Sequence, residues 1–167
     1  MDHLWAPWRG DYVTKPGGRE SQCFLCAASA VAEVDRAAGI VHRTRHAVIM
    51  LNRYPYSTGH LLVAPTSHID AVEDLDVDSY SGLMESVRLA IRAVRGVYQP
   101  HGMNVGMNLG SAAGAGVPDH CHVHVVPRWQ GDTNFMPVIG DVKVLSESLE
   151  TTWERVSEEI RKLEFGQ

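Results

Sequence analysis

Three of the nine histidines in this 167-residue sequence occupy alternate positions, at His120, His122 and His124. If residues 120–126 form a strand, these three side chains share one face at a spacing of about 6.5–7 Å, and Cys121 turns to the opposite, core face. Desolvated imidazoles in a row disfavour one another's protonation, so at least one ring stays neutral near physiological pH. The pattern therefore indicates a site with a nucleophilic or metal-binding imidazole.

Two chemistries fit a row of three imidazoles. The histidines could hold a catalytic zinc ion with one position open for water. Alternatively, the middle histidine could be a nucleophile that attacks phosphorus. The small-residue loop from Gly110 to Gly116 favours the second, because backbone N–H groups can approach a phosphate closely there. Alone the loop is weak evidence, since it lacks the Gly-Lys-Ser/Thr ending of a P-loop.

Two of the three cysteines form the C-x-x-C pair Cys23 and Cys26, while Cys121 stands between two of the histidines. Such a pair is half of a tetrahedral zinc site, and histidines are the remaining candidate ligands. The alternative is a reduced, metal-free pair. A disulfide scaffold does not fit so few cysteines, and a redox role lacks a thioredoxin-like context.

Composition and charge limit the class of protein. The apolar fraction of 44% and the charged fraction of 21% are typical of a globular domain. A net charge of −5 excludes an electrostatic footprint for a nucleic-acid duplex. The sequence has no signal-like start and no apolar run of about 20 residues, which predicts no membrane segment and a cytoplasmic location.

The spacing of apolar residues and turn signals predicts an α+β fold with an antiparallel sheet of about five strands. One long helix is expected over 76–99, with Asp76 or Asp78 as its N-cap. We expect a single domain, 1–167, with an irregular arm at 1–22 and a C-terminal helical extension at 140–167. Strands are predicted near 40–43, 47–51, 60–65, 103–110 and 120–129, and a further helix at 23–38.

The segment His120-Cys121-His122-Val123-His124-Val125-Val126 resembles the His-φ-His-φ-His-φ-φ signature of the histidine triad superfamily of nucleotidyl hydrolases and transferases. The stretches Leu51-Asn52-Arg53, Gly59-His60-Leu61-Leu62-Val63 and Asn108-Leu109-Gly110 match other superfamily elements. The resemblance covers roughly residues 23–130. Within the superfamily, the sequence most resembles the bacterial diadenosine tetraphosphate phosphorylase/hydrolase-like branch.

This resemblance implies a HIT-like fold and a two-step mechanism. His122 would attack the α-phosphorus of a nucleotide to form a covalent nucleotidyl-imidazole, and water or inorganic phosphate would then release the nucleotide. Its other ring nitrogen should donate to a backbone carbonyl, which leaves the attacking nitrogen unprotonated. Further site residues are implied: His124, with His120, as catalytic groups, and Asn52, His60, Asn108, Ala115, Gly116, His124 and Trp129 as substrate-binding residues.

The resemblance also implies a structural zinc ion held by Cys23, Cys26, His68 and His120. Gly116 occupies a position where the hydrolase branch often carries glutamine, so transfer to phosphate is as credible as hydrolysis. Expected partners are a dinucleoside polyphosphate, AMP, ADP or ATP, inorganic phosphate and a second copy of the chain in a homodimer. Alternatives are a nucleoside phosphoramidate or dinucleoside triphosphate hydrolase, or a regulatory protein that binds AMP or ADP without turnover.

Overall fold

The computed structural model describes residues 23–30, 36–140 and 144–166. The predicted arm, 1–22, lies outside the described residues. A helix was predicted at 23–38. In the described residues of that range α1 spans Phe24–Ala30, whereas residues 36–39 form a turn that leads into the sheet. Gly39 adopts φ +73° there, a conformation that glycine reaches without steric cost.

Five strands form one sheet in the order β1-β2-β3-β5-β4, and every neighbouring pair is antiparallel. This confirms the predicted α+β class and the five-stranded antiparallel sheet. The strands are β1 (Ile40–Arg43), β2 (Ala47–Leu51), β3 (Leu61–Pro65), β4 (Gly102–Met107) and β5 (Val123–Arg128).

The long predicted helix is α2, Val77–Tyr98. Asp76 caps it as expected, because its carboxylate accepts a hydrogen bond from the Ser79 N–H at 2.8 Å. Gln99 ends the helix in the left-handed conformation, at φ 45°, and Pro100 follows. Short 3₁₀ turns lie at Val72–Asp74 and Ser111–Ala113.

One face of the sheet packs against α2 and the C-terminal helix α4, Leu149–Phe165. Trp153 anchors α4 by donating its indole N–H to the Ile40 carbonyl at 2.6 Å. A four-residue helix, α3, spans Met136–Ile139 between β5 and α4. No helix in the part of the chain that the structure describes has both the length and the apolarity to cross a membrane.

The other face of the sheet carries a second, smaller core beneath α1. Leu25 and Ala28 of α1 are buried against β1, β2 and β3 side chains, among them Met50 and Leu62. On the same face His124 of β5 pairs across from Leu62 of β3. The site described below therefore continues this face of the sheet, beside α1.

Candidate functional site

The triad lies at the start of β5 and does not form one straight strand. The expectation of a strand from His120 was wrong, because β5 begins at Val123. The backbone groups just before it bond elsewhere: the Cys121 N–H donates to the Ile69 carbonyl at 2.6 Å, and the His120 carbonyl accepts from a side chain. Consequently His120 and His122 precede the strand, and only His124 lies within it.

The ring of His122 is held by its own neighbour in the triad. Its Nδ1 lies 3.0 Å from the carbonyl oxygen of His120, and since a carbonyl only accepts, Nδ1 carries the proton and donates. In the neutral ring, Nε2 then has an available lone pair. The side chain is 4% exposed, and its ring centroid is 5.0 Å from that of His124. The geometry gives His122 the tautomer that a nucleophile requires.

A second hydrogen-bond chain sets the proton position on His124. The Tyr56 backbone N–H donates to Nδ1 of His60 at 3.0 Å, so in the neutral ring the His60 proton sits on Nε2. That Nε2 lies 3.0 Å from Nδ1 of His124 and donates to it. In its neutral form His124 therefore carries its own proton on Nε2, where it can serve as a hydrogen-bond donor.

Asn52 and Tyr56 complete the surroundings of His60. The Asn52 side-chain nitrogen lies 3.3 Å from Nδ1 and 3.4 Å from Nε2 of His60, and its oxygen accepts from the Tyr54 N–H at 2.9 Å. The Tyr56 ring stacks nearly parallel to that of His124, with centroids 5.8 Å apart. Asn52, His60 and His124, which the resemblance implied as substrate-binding residues, thus lie together, and Tyr56 beside them was not named in the sequence analysis.

The small-residue loop lies between β4 and the triad, and it is tied internally. The Asn108 side-chain nitrogen donates to the Gly114 carbonyl at 3.5 Å. The Ala115 N–H donates to the Gly110 carbonyl at 3.4 Å, so this amide bonds within the loop rather than pointing out of it. Gly110 and Gly114 both have positive φ, which explains why glycine occupies these two positions of the loop. Gly116 is exposed.

Trp129 lies one residue past the end of β5, five positions beyond His124. Its ring packs edge-on against Tyr98 of α2, with centroids 6.5 Å apart. The Trp129 N–H donates to the Asp132 carboxylate at 3.2 Å, and Arg128 binds both oxygens of that carboxylate. The structure thus places Trp129 at the far end of β5 from the triad histidines, in a locked turn.

Four side chains from three chain segments meet beside the triad and could hold a metal ion. Cys23, Cys26, His68 and His120 offer ligand atoms that all lie within 4.8 Å of one another. The His120 Nδ1 is 3.5 Å from each sulfur, and the His68 Nδ1 is 3.0 Å from that of Cys26. The structure brings together all four residues that the resemblance implied as ligands.

The environment of His120 fits a metal ligand. Its Nε2 lies 3.0 Å from the Pro65 carbonyl and donates to it, so Nδ1 keeps its lone pair toward the sulfurs. Burial lowers the pKa of His120, with the nearby rings of His68 and His122 acting in the same direction and the Pro65 carbonyl opposing them. Burial raises the pKa of the Cys26 thiol, and the hydrogen bond and charge of the neighbouring Cys23 act in the same direction. Metal binding would therefore release thiol protons.

The Cys/His cluster that could hold a metal ion takes only one histidine from the triad. Among the described residues, Cys23, Cys26, His68 and His120 are the one group of metal-ligating side chains that includes a triad member. His122 directs its Nδ1 to a backbone carbonyl, and His124 directs its own to His60. This arrangement does not support a catalytic zinc ion held by all three triad histidines.

Comparison with known proteins agrees with this geometry. The HIT domain family matches residues 34–131. The AP-4-A phosphorylase of Mycobacterium tuberculosis is 39% identical over 157 residues, covering 91% of this chain and 80% of that protein. This chain therefore belongs to the HIT domain family.

Solved structures show the same fold. A hypothetical histidine triad nucleotide-binding protein of Sulfolobus tokodaii superposes with a TM-score of 0.67 at 26% identity, covering 85% of this chain and 94% of that one. A zinc-bound histidine triad family protein of Mycobacterium smegmatis gives a TM-score of 0.66 at 22% identity, covering 88% and 99%.

Proposed function

We propose that this chain cleaves dinucleoside polyphosphates, with diadenosine tetraphosphate as the preferred substrate, through a covalent intermediate on His122. Its family and its relative at 39% identity make it a nucleotide-processing enzyme. The substrate and the intermediate are our proposal. The observation that carries the intermediate is the 3.0 Å hydrogen bond from the His122 Nδ1–H to the His120 carbonyl, which leaves Nε2 as the nucleophile. The name of the relative, AP-4-A phosphorylase, supports the substrate.

In the first step the Nε2 lone pair attacks an α-phosphorus. A phosphorus–nitrogen bond forms, and the bond from that phosphorus to the bridging oxygen breaks, so ATP leaves from diadenosine tetraphosphate. The Nδ1 proton stays in its bond to the His120 carbonyl, which stabilises the positive charge that the substituted ring acquires.

In the second step an oxygen of inorganic phosphate attacks the same phosphorus. The phosphorus–nitrogen bond breaks, its electron pair returns to Nε2, and ADP is released. The relative from M. tuberculosis is named a phosphorylase, which supports phosphate as the acceptor. Gly116 supports it too, since its position lacks a side-chain amide that could orient water.

The remaining site residues would bind the substrate. His124 would donate from Nε2 to a phosphate oxygen, because His60 holds its proton at that atom. Asn108 and the amides near Ala115 and Gly116 would hold further phosphate oxygens after the loop opens the Ala115–Gly110 hydrogen bond. We assign ribose binding to Asn52 and a contact with the distal part of the substrate to Trp129.

We further propose that the metal of the Cys23, Cys26, His68 and His120 cluster is zinc in a closed structural site. Two thiols and two imidazoles are ligands that zinc prefers, and the fold neighbour from M. smegmatis is described as zinc-bound. We also propose a homodimer. Among the described strands β4 lies at an edge of the sheet and pairs with β5 on one side, so a second copy could pair with its outer side, where Val105 is 44% exposed.

Product analysis tests the proposal. Diadenosine tetraphosphate is incubated with the protein in the presence and absence of inorganic phosphate. We expect ATP and ADP, formed only with phosphate. AMP and ATP formed without phosphate would instead identify a hydrolase that uses the same nucleophile. Tight AMP binding with no turnover of any dinucleoside polyphosphate or phosphoramidate would overturn the enzymatic proposal in favour of a regulatory binding protein.

A further inference from the structure

His120 links the Cys/His cluster to the proposed nucleophile: its ring belongs to the cluster, and its carbonyl accepts the hydrogen bond from His122 Nδ1. We propose that the cluster of Cys23, Cys26, His68 and His120 positions the His122 ring for attack, in addition to fastening α1 to the sheet. In this proposal the cluster residues act through His120 and are positioning residues. The inference rests on the proposed role of His122.

His120 makes contacts on every side. Its side chain is fully buried, its Nε2 donates to the Pro65 carbonyl at 3.0 Å, and its N–H donates to the Val117 carbonyl at 3.4 Å. Its own carbonyl accepts from His122 Nδ1 at 3.0 Å. The remaining polar atom, Nδ1, faces the sulfurs of Cys23 and Cys26 at 3.5 Å each. A metal ion held there would fix the last degree of freedom of this residue.

The segment 65–69, which carries His68, is hydrogen-bonded to His120 and to its chain neighbour Cys121. The Pro65 carbonyl accepts from His120, and the Ile69 carbonyl accepts from the Cys121 N–H at 2.6 Å. Two of the four ligands therefore lie on one hydrogen-bonded unit. The thiols of Cys23 and Cys26, at the start of α1, close the cluster over it.

The ring and the carbonyl of His120 belong to one residue, so a displacement of the ring also shifts the carbonyl that bonds His122. If ligation restrains the His120 ring, it also restrains the direction of the carbonyl that receives the His122 proton. An error of about 1 Å in the placement of a catalytic group can cost about 100-fold in rate. A loosened cluster would therefore lower the rate of attack more than it weakens substrate binding.

A purely structural role makes a different prediction, and the chain offers a matched control for it. Leu25 lies between the two cysteines, is fully buried, and belongs to the small core beneath α1. Leu25→Ala weakens the packing of α1 but removes no ligand atom. The double variant Cys23→Ser/Cys26→Ser removes both sulfur ligands and leaves Leu25 in place.

The experiment compares wild type, Leu25→Ala and Cys23→Ser/Cys26→Ser at a temperature where circular dichroism shows all three folded. Four quantities are measured: bound zinc per chain, the urea midpoint, the ¹⁵N NMR pattern of the His122 ring, and kcat and KM separately. We expect Leu25→Ala to keep its zinc, the Nδ1–H pattern of His122 and the wild-type kcat despite a lower urea midpoint. In the cysteine variant we expect lost zinc, a mixed His122 tautomer pattern and a kcat reduced about 10–100-fold at nearly unchanged KM.

The proposal is overturned if the cysteine variant loses zinc but keeps the His122 NMR pattern and the wild-type kcat. It is also overturned if Leu25→Ala lowers kcat as much as the cysteine variant does, since α1 docking alone would then explain the effect. Should the double variant not fold, His68→Ala, which removes one exposed ligand, takes its place. The NMR measurement needs no substrate, so it decides the coupling even if no nucleotidyl-His122 forms and the proposed function fails.

Discussion

The Nε2 atom of His60 donates a hydrogen bond to Nδ1 of His124 over 3.0 Å. The direction of this bond is fixed from outside the pair, because a backbone N–H, that of Tyr56, already occupies Nδ1 of His60. One main-chain donor thus determines where the proton lies on two successive imidazoles.

Replacing His60 should therefore impair catalysis through His124. We expect His60→Ala to lower kcat/KM about 10–100-fold, as loss of a supporting hydrogen bond to a functional histidine commonly does. In His60→Gln the side-chain amide can still donate to Nδ1 of His124, and we expect it to recover part of that loss. Steady-state kinetics, with ¹⁵N NMR of the His124 ring, measure both effects.

Tyr54→Phe is the comparison variant, since it changes a side chain that is 72% exposed and keeps the backbone N–H that bonds Asn52. Its kcat/KM should stay within about threefold of wild type, the scale of a small perturbation beside a site. If His60→Ala retained wild-type kinetics and an unchanged His124 spectrum, His60 would be only a buried core residue.

The sequence predicted the sheet better than it predicted the triad backbone. Short runs of β-branched and aliphatic residues between turn residues were enough to place β1, β2 and β3 to within about a residue, as expected where local pattern and burial agree. The triad breaks that agreement. Around His120 a side chain and the distant Ile69 carbonyl take the hydrogen bonds that a strand ladder would use, and periodicity alone cannot reveal such partners.

The metal-ligand set was implied by resemblance, and its physical basis appears only in three dimensions. Cys26 and His68 are 42 positions apart in sequence, yet their ligand atoms lie 3.0 Å apart. Long-range contacts of this kind depend on sheet register, which residue types specify only in part. Tyr56 was missed for a different reason: besides its ring it contributes a backbone N–H, and a main-chain donor leaves no side-chain signal that a motif could record.

Gly59, just before His60, should not tolerate a side chain. It adopts φ +81°, and a Cβ there would lie 2.7 Å from the Tyr98 ring. A left-handed backbone and an overpacked contact together predict that Gly59→Ala destabilises the fold by about 2–4 kcal/mol. Gly102→Ala is the control, because no heavy atom comes within 4 Å of a Cβ built there. In urea unfolding we expect a lower midpoint for Gly59→Ala and a wild-type midpoint for Gly102→Ala. Equal midpoints for the two variants would contradict the predicted clash with Tyr98.

Glu147 should make stability depend on acid. Burial pushes the pKa of Glu147 up, but hydrogen bonds from Tyr98, Thr152 and Arg155 outweigh it, so the folded-state pKa lies below its ordinary value. The carboxylate therefore stabilises the fold above the ordinary glutamate pKa of 4.5, and this contribution disappears as the pH falls through the lower folded-state value.

Glu147→Gln should accordingly lower the free energy of unfolding by about 1–3 kcal/mol near pH 7 and by less near pH 4. The comparison variant is Glu73→Gln, at an exposed position in a 3₁₀ turn, where we expect almost no change. Urea titrations at the two pH values provide the measurement. A loss for Glu147→Gln that is as large in acid as at neutral pH would show that its carboxylate charge is not responsible.

Metal content provides a further test. Protein purified without chelator should contain about one zinc per chain, bound through thiolates, and acid should release it because protons compete for the ligands. Zinc analysis and thiol titration measure this across a pH series. The buried Cys121 should stay unreactive in the folded protein, since burial raises its pKa and it lies outside the ligand set. If the protein as isolated contained no metal and its Cys23 and Cys26 thiols titrated freely, the zinc site would be contradicted.

The nucleophile itself is tested by His122→Asn. Asparagine keeps a polar side chain at the position but has no basic nitrogen, so we expect kcat to fall at least about 1000-fold while AMP binding persists. When the reaction of the wild-type protein is quenched without acid, mass spectrometry should show one nucleotidyl adduct on His122. The variant should show none. His101→Asn is the matched control, because His101 precedes β4 at the opposite end of the sheet and its Nδ1 accepts from the Gln130 N–H. If the variant turned over substrate at the wild-type rate, or the adduct mapped to another histidine, the hydrogen bond from His122 to the His120 carbonyl would have no catalytic meaning.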